Sequence, residues 1–201
     1  MIWWLKARNV PAVLSALLAV YLVAVLVRQE AIPVPAVVGP SGRLLVTQIL
    51  GVVPVVLLLH GLDRGDTVTE EAAVRHNGRR TVVLCGAFAL LALVTAVGIQ
   101  LLWDRPEALS LARNCAGFLG SALIVRAVLG PGIAAICVAA LPLACAAAGR
   151  RPGGSARPWA WPIHEPLSHP GAAEAVFLFA LGCALAVWKN RPVIDPFTRA
   201  T

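Results

Sequence analysis

Charge is the resource this chain lacks most. Only 13% of its 201 residues are Asp, Glu, Lys or Arg, against about a quarter in soluble proteins, and lysine occurs twice, as Lys6 and Lys189. No apolar run carries Asp, Glu or Lys near its middle, which leaves out the midplane relay that a proton- or ion-coupled carrier uses. The Gly-x-x-x-x-Gly-Lys-Ser/Thr phosphate loop is missing, so the chain cannot itself be an ATPase. Gly-x-Ser-x-Gly is missing too, and Ser15 and Ser121 have no histidine at a suggestive spacing, so intramembrane hydrolysis is unsupported. His164-Glu165 and His169 stand one residue too far apart for the zinc-protease helix motif, with Pro166 between them. The five cysteines show no C-x-x-C spacing and fall in or beside apolar runs, where they read as small apolar residues without a disulfide. These absences predict a chain that is not an enzyme and takes no cofactor or metal.

What is present is hydrophobic surface. Hydrophobic residues make up 59% and the mean hydropathy is +0.80, which describes an integral membrane protein. The net charge of +7 lies between apolar runs and at the termini. It reads as topology signals and lipid-headgroup contacts, with no nucleic acid as partner.

The runs set the architecture. Trp3, Trp4, Lys6 and Arg8 suit an interfacial N-terminal segment, followed by a retained span from Val10 to Val27. A second run, Leu44 to Leu62, holds Pro54, which is expected to kink it. The third runs from Thr81 to Trp103, and a hydrophilic link, Asp104 to Arg113, leads to the fourth, Asn114 to Leu129. Gly130-Pro131-Gly132 turns the chain at once into the fifth, Pro131 to Ala148, so these two form an antiparallel hairpin. Gly117 and Ser121, with the alanines of the fifth run, predict that this hairpin sits inside the bundle. Residues 149 to 171 carry five prolines and predict broken, partly interfacial structure, with Trp159 and Trp161 at the interface. A last run, Ala172 to Trp188, ends at Lys189 and Arg191. The fold class is therefore all-α: one polytopic domain, residues 1–201, with six transmembrane helices.

Leu62 to Arg80 is the long charged stretch among these runs. Thr67 can cap a short helix with Glu70 in the capping-box position, Glu71 and Arg75 are four apart in the favourable order, and Asn77-Gly78 would end it. The pair contributes ~0.3 to 0.5 kcal/mol, too little to hold so short a helix alone, so the helix needs a surface to rest on. Basic residues number ten on one side of the six-span arrangement and seven on the other. That bias puts both termini and this stretch in the cytoplasm.

This ordering resembles the permease subunits of ATP-binding-cassette exporters of type 2. The shared features are an interfacial N terminus, six spans, a charged helix between spans two and three, a tight turn between four and five, and a broken outer segment before span six. The resemblance implies that Glu70, Glu71, Arg75, Arg79 and Arg80 form a coupling helix and basic cluster that dock a separate ATPase subunit. It also implies a second permease copy, as homodimer or heterodimer, and a bacterial plasma-membrane location. Apolar spans without binding charges fit a lipid-like, amphipathic or peptide cargo as readily as a drug. The alternative is a non-transporting membrane scaffold or assembly subunit whose charged stretch anchors a cytoplasmic partner.

Overall fold

Proline and glycine positions decide where the helices start and stop. The computed structural model describes residues 8–27, 31–34, 42–63, 77–151 and 155–189. In chain order the elements are α1 (Val10–Leu26), a hairpin of β1 (Ala31–Val34) and β2 (Gly42–Leu45), a short α2 (Val46–Leu50), α3 (Val52–Asp63), α4 (Asn77–Trp103), α5 (Pro106–Leu129), α6 (Pro131–Ala148), a 3-10 turn (Trp161–Ile163) and α7 (His169–Lys189). Among the described residues the regular elements are helices apart from the antiparallel hairpin, which pairs Ala31 with Leu45 and Val34 with Gly42. Among the described residues five stretches are long and apolar enough to cross a membrane: Val46–Asp63, Gly78–Trp103, Pro106–Leu129, Pro131–Ala148 and His169–Lys189. A sixth apolar helix, α1, is shorter at 17 residues.

Three boundaries differ from the sequence expectation. The link from Asp104 to Arg113 is mostly helix, because Pro106 opens α5 with Glu107 in its first turn. A proline whose missing N–H costs nothing there, followed by an acid at the positive helix end, is a good start signal. The helix α4 starts at Asn77, about a turn before the apolar run that begins at Thr81, and the residues expected to form a helix before it lie outside the described ones. Pro54 lies within α3, and the break falls a turn earlier at Gly51. The proline ring crowds the carbonyl four residues back, that of Leu50, and leaves it without its helical N–H.

Gly130, at φ +94°, makes the expected tight turn between α5 and α6. The hairpin is only half inside. α5 is buried almost all round from Ala108 to Leu123, including Leu111, Cys115, Phe118, Leu119 and Ala122, and packs against every other long helix. α6 buries Ala134, Val138 and Cys145 but leaves Ile136, Ala140, Leu143 and Ala144 exposed. α5 is therefore the axis of the bundle.

Its closest partner is α7. Glycine lets the two backbones touch: a Cβ on Gly120 would fall 2.4 Å from the backbone of Leu178 and Phe179. Elsewhere the Tyr21 hydroxyl on α1 donates to the Ala92 carbonyl of α4 at 2.7 Å. Burial of the tyrosine ring is thus matched by a partner for its polar tip.

Helix directions alternate. At one end of the bundle Arg8, just before α1, donates to the Leu62 carbonyl of α3 at 3.3 Å. Asp63, at the end of α3, pairs with Arg126 of α5, and Lys189, at the end of α7, donates to the Ala127 carbonyl at 2.9 Å. This is the turn end, where Gly130 lies. The opposite, capped end carries residues 155–168.

Candidate functional site

The capped end is built on two adjacent polar residues inside α5. Arg113 is 8% exposed and Asn114 is fully buried. Charge and amide this deep in an apolar helix require partners, and the folded-back segment supplies them. The Arg113 guanidinium donates through Nη1 to the Glu165 carbonyl at 2.8 Å, through Nη2 to the His164 carbonyl at 3.1 Å, and through Nε to the Asn114 Oδ1 at 3.3 Å. Asn114 Nδ2 in turn donates to the Pro162 carbonyl at 3.2 Å and reaches the Gln48 carbonyl of α2 at 3.5 Å. One amide thereby ties α5, the cap and α2.

One turn further along the same face, apolar contacts complete the seat. Gly117 lies under the Trp161 indole, so that a Cβ there would come within 2.4 Å of the ring. Phe118 meets the same ring at 5.0 Å between centroids, tilted by 55°. The spacing 113/117 and 114/118 follows from the four-residue repeat of a helix face. Trp161 is consequently 2% exposed and seated in protein, not at the lipid interface, whereas Trp159 is 45% exposed. Gly117 serves the cap, and the glycine pair that brings helices together is Gly120 with Gly182.

His164 closes the cap on itself. Its Nε2 lies 3.0 Å from the Arg157 carbonyl and its Nδ1 3.2 Å from Ser168 Oγ. Ser168 Oγ accepts from the Gly171 N–H at 3.4 Å at the start of α7. Both ring nitrogens are thus engaged, and His169 is exposed. Among the described residues, no three His, Cys, Asp or Glu side chains gather as a metal site. The arrangement holds a segment of backbone over the bundle.

Of the docking residues expected from sequence, Glu70, Glu71 and Arg75 lie outside the described residues, as does most of the helix expected over 67–77. Arg79 and Arg80 are exposed in the first turn of α4. The positive end of a helix repels such charges, by ~0.3 to 1 kcal/mol each. Sequence alone hides Arg113 at the end of a hydrophilic link and Asn114 at the first position of an apolar run. The Pro106-Glu107 helix start could have found them.

Compared with family models, curated proteins and solved structures, the chain gives no match.

Proposed function

We propose that this chain is the membrane-spanning permease subunit of an ATP-binding-cassette exporter, with six spans and both termini cytoplasmic. In this reading a separate ATPase docks on the charged stretch from Leu62 to Arg80, and a second permease copy, identical or related, completes the path. The observation that carries the proposal is the meeting of helix ends at the turn end. The start of α1 and the ends of α3, α5 and α7 are tied there through Arg8, Leu62, Asp63, Arg126, Ala127 and Lys189.

Alternating directions of this kind suit six crossings, with α1 at the short limit of about 17 residues for a span. The docking stretch then leaves the bundle from Asp63, a residue fixed to the central helix, so a pull on it would be passed to α5. Exposed Arg79 and Arg80, set against the helix dipole, suit an acidic surface on the partner or lipid phosphate. Exposed Ala140 and Ala144 on α6, four apart, suit close packing by another copy.

Affinity capture from native membranes tests this reading. The permease should bring down a soluble protein with a phosphate loop and raise its nucleotide turnover. The double reversal Glu70→Lys and Glu71→Lys should abolish capture while membrane abundance is kept. Reversal of the exposed Glu165 at the opposite end should leave capture intact. Capture of a partner whose turnover does not change would favour the scaffold reading. Equal capture by all variants would remove the docking assignment.

A further inference from the structure

The cap overhangs a groove of about 540 Å³ between the middle of α4 and the capped halves of α5 and α7. Its floor is made of small residues, among them Gly86, Ala89, Ala112 and Ala116, and its rim of large apolar ones such as Leu90 and Val176. The volume is that of a small-ligand site, roughly 300 to 1,000 Å³. Along α7 the lining runs from His169 to Phe179, which at ~1.5 Å per residue is about 15 Å. That is half of a hydrocarbon core of about 30 Å. The groove therefore reaches through one leaflet.

Only its upper end is polar, where Arg113, Ser168 and His169 line it. All the hydrogen bonds that Arg113 makes among the described residues go to neutral oxygens. No described carboxylate pairs with it, and three of its five N–H groups are engaged, which leaves two for a further acceptor. A cation beside Gly171 at the start of the α7 span, above an acyl-length apolar channel, is complementary to an anionic lipid.

We propose that this groove binds one anionic phospholipid of the leaflet at the capped end, with an acyl chain along Gly86 and Ala116 and its phosphate at Arg113. The proposal is independent of the permease reading, because it needs only the bundle and a bilayer. The site carries the charge that selects the headgroup and the shape that takes a single chain.

Gly86 offers a clean test, since a Cβ built there meets nothing within 4 Å, so a larger side chain fills the groove without displacing a helix. The full chain would be reconstituted in phosphatidylcholine vesicles containing spin-labelled phosphatidylglycerol or spin-labelled phosphatidylcholine, and the motionally restricted lipid measured. Wild type should restrict phosphatidylglycerol about fivefold more than phosphatidylcholine, the preference expected of one basic residue near the headgroups. Gly86→Leu should lose the tightly held component for both lipids. Arg113→Gln should lose the preference, and Arg113→Lys, which keeps the charge, should retain most of it. No preference in wild type, or an unchanged restricted component in Gly86→Leu, would overturn the assignment.

Discussion

Gly182 of α7 rests on the carbonyl of Gly120 of α5: a Cβ at Gly182 would stand 2.6 Å from that oxygen and 3.0 Å from Leu123 Cβ. Without a hydrophobic effect between helices in lipid, association rests on such close backbone approach. Gly120→Ala and Gly182→Ala should each lower the melting temperature in detergent by a few degrees, in line with ~1 to 3 kcal/mol for overpacking a tight contact. Gly98→Ala, where the added Cβ meets open space, should not lower it. Equal melting of all three would mean that the crossing at Gly120 does not hold α5 to α7.

The cap should open when its bolt is removed. Ile163 is 6% exposed and sits between the carbonyls that Asn114 and Arg113 engage. A lone cysteine in place of Ile163, in a background without the native cysteines, should react slowly with a soluble maleimide. Adding Arg113→Gln should speed labelling roughly 10- to 150-fold, the factor for losing ~1.5 to 3 kcal/mol of charge-assisted hydrogen bonding. An unchanged rate would show that Trp161 on Gly117 holds the segment by itself.

Asp63 and Arg126 should matter little to stability. Their side chains are about 30% exposed, so neutralising either should cost only ~0.2 to 1 kcal/mol. The exchange of Asp63→Arg with Arg126→Asp should recover most of that loss in a double-mutant cycle of melting temperatures. A strictly additive cycle would show that the pair contributes no coupling. If the permease reading holds, the single variants should reduce partner-stimulated turnover more than they reduce stability.

Membrane sidedness has its own check. Ser155 is exposed at the capped end, which the proposed topology puts outside. A single cysteine at Ser155 should react with an impermeant maleimide added to intact cells. Labelling only after lysis would invert the topology.

How far the sequence could be read depends on the range of the interaction concerned. Apolar run length is a local property, and it located α1 and α4 through α7 to within a turn or two, with the exception of the start of α5. The Gly130-Pro131-Gly132 turn is equally local. Arg113 reads as part of a hydrophilic link because a charge lowers the hydropathy of its neighbourhood regardless of its partners, and those partners, the carbonyls of His164 and Glu165, lie some fifty residues on. Gly120 and Gly182 are 62 positions apart, so neither betrays the other, and Gly117-x-x-x-Ser121 drew notice only because its spacing is visible within one helix. Trp161 was expected at the interface on residue type alone, whereas the space above Gly117 decides its place.

The Tyr21–Ala92 hydrogen bond joins helices of unequal reach. α1 has 17 residues and α4 has 27, about 26 and 40 Å, against a hydrocarbon core of about 30 Å. If α1 crosses the membrane, as the permease reading has it, the bilayer thins beside α1 while α4, whose first turn is polar, tilts or stands proud of the hydrocarbon. Hydrophobic mismatch of this kind costs a fraction of a kcal/mol per Å and is relieved when deformed rims are shared. In that reading the lipid around the bundle has a thin side and a thick side, and membrane thickness alone would bias which flank turns toward a neighbour.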